Sequence, residues 1–325
     1  MKYPNLKKII QPDISLIGLL ITVYLANWML SYIYIPDFQE YSAASLRVLP
    51  LNPLWLIISI FLITLLNILL MIQISSKYSI IRTKTFLPVF FFALFISVWQ
   101  ESHFLWSSHL ALTAFLFSLM LFLGMYRNRK AVEPAFLGTF LISLTGLINP
   151  VYLFLIPVSW IGFTIMKSFS TKVFFASLMG GVVPWIFYFS YHLWRGNETH
   201  LFDNLLFDFQ PYFLFSGRQL HEQVYIAITV IILIVGLLGF YTNLLSDTVQ
   251  TRKNIHLILL YLIFMVLIIF SFAKNAFAFL PFIAFCLAIL LSHPFSLNKS
   301  RLYPILFIFF ISVNCVYVLL NYFIF

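Results

Sequence analysis

The sequence predicts an all-α, polytopic membrane protein, and three observations carry that expectation. Of the 325 residues, 62% are hydrophobic and only 9% charged, against about 25% charged in a soluble globular chain. Mean hydropathy is +1.00. The apolar residues fall into runs close to the roughly 20 that a helix needs to cross a hydrocarbon core of about 30 Å. The number of helices, not a soluble-domain length rule, therefore sets the architecture.

The first apolar run covers 14–34 and follows Lys2, Lys7 and Lys8. It has the outline of a signal peptide. However, about 20 apolar residues is long for a signal core and no small-x-small site follows, so it reads as a retained first helix. Further helices fit near 53–74, 86–99, 109–126, 134–148, 151–166, 173–194, 224–244, 255–272, 276–292 and 302–325. The expectation is about 11 transmembrane helices, two of them short enough to be tilted or re-entrant, in a single integral membrane domain, 1–325. Pro53, Pro88, Pro134 and Pro304 fall near helix starts, where a missing N–H costs little. Pro184, after Gly180-Gly181, lies inside a helix and predicts a kink. No internal repeat is visible, which argues against an inverted-repeat transporter.

The basic residues test the count. With the N-terminus inside, inner segments hold Lys2, Lys7, Lys8, Lys77, Arg82, Lys84, Arg127, Arg129, Lys130, Lys167, Lys172, Arg252, Lys253, Lys299 and Arg301, fifteen of the 19. Arg47, Arg195, Arg218 and Lys274 fall outside. That bias orients the chain with its N-terminus inside and its C-terminus outside. It also explains the net charge of +9 as a topology signal, with no nucleic-acid partner implied. The acids lean the other way: Asp37, Glu40, Glu101, Glu198, Asp203, Asp208 and Glu222 face out, as do His103, His109, His192, His200 and His221. Polar chemistry therefore belongs to the outer side. Between 195 and 223, Phe202, Leu205, Leu206, Phe209 and Phe213 recur at helical spacing opposite Asp203, Asn204 and Asp208, the pattern of an interfacial helix.

Cys286 and Cys315 both lie in apolar spans, which predicts burial for each and neither a disulfide nor a metal site. The 39 phenylalanines read mainly as lipid-facing bulk.

One stretch carries a likeness. It runs from Tyr126-Arg127-Asn128-Arg129-Lys130 through Ala135-Phe136-Leu137-Gly138, Leu144-Thr145-Gly146-Leu147-Ile148-Asn149-Pro150 and Leu153-Phe154-Leu155-Ile156-Pro157 to Gly180-Gly181-Val182-Val183-Pro184-Trp185-Ile186-Phe187-Tyr188. It resembles an uncharacterised Bacteroidota family of polytopic inner-membrane proteins, and the fourth-to-seventh helix region of GT-C glycosyltransferases. The likeness is strongest over 14–194; the outer loop 195–223 and the helices of 224–325 follow. It implies a bacterial inner-membrane enzyme with a GT-C-like helix arrangement, moving a sugar from a polyprenyl-phosphate donor to an outer-face acceptor. In that superfamily an acidic residue of the first outer loop acts at the acceptor, and a second acidic site follows the third helix. Asp37 or Glu40 matches the first position, and Glu101, with His103 nearby, the second.

The chemistry so implied needs a base at the acceptor hydroxyl and positive charge at the leaving phosphate. Asp37 is the first candidate base and Glu40 the second. Glu101 would orient the acceptor, or hold a divalent metal alongside His103; no other cofactor is expected. Arg195 and Arg218, then Arg47, are the candidate phosphate partners. Each has a plainer reading. Carboxylates where a helix leaves the membrane serve as solvated surface groups, and Arg195 could simply cap a helix end. The first outer loop is short, about sixteen residues where GT-C enzymes usually have a longer one, and no acidic doublet occurs. Those departures support the alternative of a non-catalytic membrane subunit of an envelope complex. Membrane lipid is the common partner of both readings, a polyprenyl-phosphate sugar of the first and other membrane proteins of the second.

Overall fold

The computed structural model describes residues 53–82, 85–99, 102–103, 105–196, 219–242, 247–272, 277–297 and 302–323. Among these the regular structure is helical, with no β-strand. The helices are α1 (Pro53–Lys77), α2 (Leu87–Val98), α3 (Trp106–Leu123), α4 (Val132–Ile148), α5 (Leu155–Ile165), α6 (Thr171–Trp194), α7 (Leu220–Thr242), α8 (Val249–Ser271), α9 (Leu280–Leu297) and α10 (Leu302–Phe323). Each helix expected from residue 53 onward has its counterpart. The expected helix at 14–34 and the interfacial helix within 195–223 lie outside the described residues.

Seven of these helices are long and apolar enough to cross a membrane: α1, α3, α6, α7, α8, α9 and α10. The chain is a multi-pass membrane protein. The shorter helices α2, α4 and α5 explain why a count of apolar runs exceeds a count of full-length spans. At 1.5 Å per residue, the twelve residues of α2 rise about 18 Å, well short of a core of about 30 Å.

Local chemistry places the helix ends. Pro53 opens α1, and Pro88 and Pro134 sit in the first turns of α2 and α4. Ser170 caps α6 by accepting the Val173 N–H at 3.3 Å, and Thr248 caps α8 by accepting the Thr251 N–H at 3.1 Å. The run 151–166 does not form one α-helix. Asn149 Oδ1 accepts the Val151 N–H, and Pro150 starts a 3₁₀ turn, Pro150–Phe154, before α5 begins. A side-chain cap followed by proline tightens the first turn in this way. Pro184 lies within α6, which is helical throughout.

The helices gather into two compact units, each assembled from separate stretches of chain. In the first, α2 packs against α1, α9 and α10, and α9 also packs against α7. Every residue of α2 is buried. Phe90, Phe91 and Phe95 of α2 meet Phe295 of α9 and Phe307 and Phe310 of α10 with ring centroids 5.3–6.0 Å apart. This corrects the reading of phenylalanine as mainly lipid-facing bulk: ten of the largest fully buried side chains are Phe. On α10 the buried stripe is Tyr303, Phe307, Phe310, Asn314 and Tyr317, spaced four, three, four and three. Cys315 lies off that stripe and is exposed, contrary to the burial expected for it, whereas Cys286 on α9 is buried.

In the second unit the closest packing joins α4 and α6. Gly180 brings α6 against the Phe136 carbonyl and Thr139 of α4, and Ser143 Oγ donates to the Gly181 carbonyl at 2.5 Å. Trp160 Nε1 of α5 donates to Ser177 Oγ of α6 at 2.8 Å. Ser159 and Tyr261 share a 2.8 Å hydrogen bond between α5 and α8. Tyr152 donates to the Ala278 carbonyl at 3.0 Å. Small residues and hydrogen bonds of this kind hold helices together where lipid removes the hydrophobic difference. The outward-turned apolar side chains, such as Phe187, Trp194 and Ile305, supply the lipid-facing surface.

Candidate functional site

Of the seven residues singled out for chemistry, Asp37, Glu40, Arg47, Glu101 and Arg218 lie outside the described residues. His103 and Arg195 are described, and they belong to different units.

His103 follows the end of α2. The last carbonyls of any helix lack intrahelical partners, and here they are buried, so they need donors from the chain itself. Ser102 and His103 provide them. Ser102 Oγ lies 3.1 Å from the Ile96 carbonyl and 2.6 Å from that of Trp99. His103 Nε2 lies 2.8 Å from the same Ile96 oxygen. A carbonyl only accepts, so this contact places the proton on Nε2. Both side chains are buried. His103 thus closes a buried helix end, where an unpartnered carbonyl would be costly.

Past Trp99 the same unit carries a polar seam. It centres on Tyr225 of α7, which is buried. Tyr225 donates to Asn314 Oδ1 on α10 at 3.0 Å, and Asn314 Nδ2 donates to the Phe310 carbonyl at 2.7 Å. Tyr225 and Tyr317 stack with centroids 4.0 Å apart. One turn earlier on α7, His221 Nε2 lies 2.7 Å from Asn321 Oδ1. Two hydrogen-bonded pairs, Tyr225 with Asn314 and His221 with Asn321, thus tie α7 to α10 within the first unit.

No protein-family model, curated protein or solved structure gives a significant match to this chain. Its function therefore has to be argued from the residues alone.

Arg195 is exposed at the C-terminus of α6. Its N–H donates to the Tyr191 carbonyl, and its guanidinium lies 5.2 Å from the Tyr191 ring centroid. A cation at that position complements the negative end of the helix dipole, so the capping reading describes its local setting. Among the described residues no group of three His, Cys, Asp or Glu side chains converges as metal ligands.

Tyr225 and Tyr317 were given no role by sequence reasoning. Spacing held the signal. Tyr225 follows His221 by four residues and Asn321 follows Asn314 by seven, so each pair shares one helix face. Which helix faces which is a tertiary fact that spacing does not carry.

Proposed function

We propose that this chain is a GT-C-like membrane glycosyltransferase that moves a sugar from a polyprenyl-phosphate donor to an acceptor on the outer face. The full topology of this reading is about 11 crossings of a bacterial inner membrane, N-terminus inside and C-terminus outside. The observation that carries it is the separation of charge: fifteen of 19 basic residues fall to one side and seven of ten acids to the other. The 127–194 likeness, on α4 to α6, supports it. In the step itself Asp37 takes the proton of the acceptor hydroxyl as that oxygen bonds to the anomeric carbon. The bond from that carbon to the phosphate oxygen breaks, and Arg195 or Arg218 balances the charge left on the phosphate. Asp37→Asn keeps the side-chain shape and removes the base. The expected result is loss of sugar transfer from a polyprenyl-phosphate donor by a protein that elutes and melts like the wild type. Undiminished transfer by that variant would refute the role of Asp37.

The buried, backbone-bonded state of His103 favours a second reading. If the acids beside it also serve the fold, the chain is a non-catalytic membrane subunit. It would then co-purify with other membrane proteins and tolerate substitution of Asp37 and Glu101.

A further inference from the structure

Asp247 and His293 form a buried ion-pair contact that the transfer chemistry does not use. Asp247 lies two residues before α8, and His293 lies in the last turns of α9. His293 Nε2 and Asp247 Oδ2 are 3.0 Å apart, with side chains 1% and 0% exposed. Among the described residues, neither carboxylate oxygen of Asp247 and neither ring nitrogen of His293 makes a hydrogen bond of regular geometry, so the 3.0 Å ion-pair approach is their polar contact. The carboxylate therefore has one neutralising group within reach.

Among the described residues, the ion-pair contact made by Asp247 and His293 is the one with each other. Of the elements packed against α9, α2 has no titratable side chain. From α7, Phe240 sets its ring edge-on to His293 at 5.1 Å, and the adjacent Tyr241 is exposed. From α10, Tyr303 meets Phe295. Next to Asp247, Thr248 caps α8 and Thr251 donates to the Ser79 carbonyl at 3.1 Å, both uncharged. Lys77 and Arg82 flank Ser79, and Arg252, Lys253 and His256 follow on α8. Among all these described residues, Asp247 is the charged group in contact with His293.

We propose that Asp247 and His293 are a one-proton binding site that latches the start of α8 to the end of α9. Holding the proton, the pair is neutral overall, as carboxylate with imidazolium or as carboxylic acid with imidazole. Losing it leaves a net negative charge in a buried site, which is costly without further donors. Asp247 lies beside the positive end of the α8 dipole, so carboxylate with imidazolium is the favoured loaded form. Ionisable pairs buried in membrane proteins commonly mark proton or ion handling rather than packing. The ligand here is the proton itself, taken from the side that the basic residues mark as inner. This inference stands whether or not the chain transfers sugars.

The test is thermal unfolding of the full chain in lipid nanodiscs across about pH 5 to 9, the range in which histidine commonly titrates. The loaded pair is the stable form, so wild-type stability falls as rising pH removes the proton. Asp247→Asn/His293→Gln has no titrating group at the site and loses that component of the profile. His293→Gln alone strands the carboxylate, so its stability drops most at neutral pH and recovers on acidification. Superimposable pH profiles for the wild type and the double variant would overturn the proposal. If the variants do not fold, nitrogen-15 spectra of histidine-labelled wild type decide it. One histidine must titrate together with the change in stability, and the absence of any such histidine overturns the latch.

Discussion

The α4–α6 contact supports a prediction that can be worked from atoms. A methyl at Gly180 would fall inside contact distance of the Phe136 carbonyl oxygen and Thr139 Oγ1. The carbonyl belongs to the α4 backbone, so it cannot swing aside. Thr139 is tied to the Ala135 and Phe136 carbonyls at 2.8 and 3.1 Å. The two helices must therefore part by something on the order of 1 Å, which forfeits a quarter to a half of the dispersion attraction at the contact. Overpacking of this kind costs roughly 1–3 kcal/mol, and the immobile neighbour puts Gly180→Ala near the upper end. Better helix propensity returns about 1 kcal/mol. The net destabilisation is about 2 kcal/mol, roughly 30-fold in the folding equilibrium, or about 3 °C in Tm.

Gly181→Ala is the control. Its methyl would lie 3.2 Å from Ile156 Cδ1, the tip of a flexible side chain. The propensity gain should offset that contact, leaving Tm within about 1 °C of wild type. The assay is thermal unfolding of detergent-solubilised protein followed by circular dichroism. Equal melting temperatures for the two variants would refute the close approach of α4 to Gly180.

Four further outcomes can be measured. Tyr225→Phe removes the donor to buried Asn314 while keeping the stack on Tyr317, and should cost about 1–3 kcal/mol, measured by the same melt; an unchanged Tm would show that the seam carries no stability. His103→Ala leaves the Ile96 carbonyl with Ser102 as its remaining side-chain donor, and should lower stability by a similar roughly 1–3 kcal/mol. A His103→Ala protein that melts like wild type but fails in sugar transfer would instead make His103 catalytic. Loss of the pH-dependent stability component in Asp247→Asn/His293→Gln, and loss of transfer in Asp37→Asn, are read separately, so either can fail alone.

Much of the helix map was legible because burial in lipid leaves a plain mark on composition. The boundaries near 53, 86, 134, 173 and 302 rest on proline, serine capping and the return of charged residues, all local effects. Where local effects compete, the expectation slipped: Asn149 and Pro150 replaced the first turn of an expected helix with a 3₁₀ turn. The three short helices were visible as apolar runs, but composition does not separate a lipid-facing span from a helix buried in protein. The all-buried α2 shows why, since a phenylalanine facing lipid and one facing Phe307 leave the same mark.

The candidate site was less legible. Local patterning marked His103 as one of a polar group, but not that its proton is spent on the carbonyl of Ile96, seven residues earlier. Asp247 and His293 are 46 residues apart, and nothing between them advertises a pairing. The same holds for Tyr225 with Asn314 and for Ser143 with Gly181. By itself the sequence determined that the chain lives in a membrane, where its helices run and which loops carry charge, because transfer from water to lipid acts on each residue singly. Tertiary structure alone decided which polar groups are satisfied, which cysteine is buried and which two titratable groups share a site. Those depend on pairs of distant residues meeting in a medium where an unpartnered polar group is expensive.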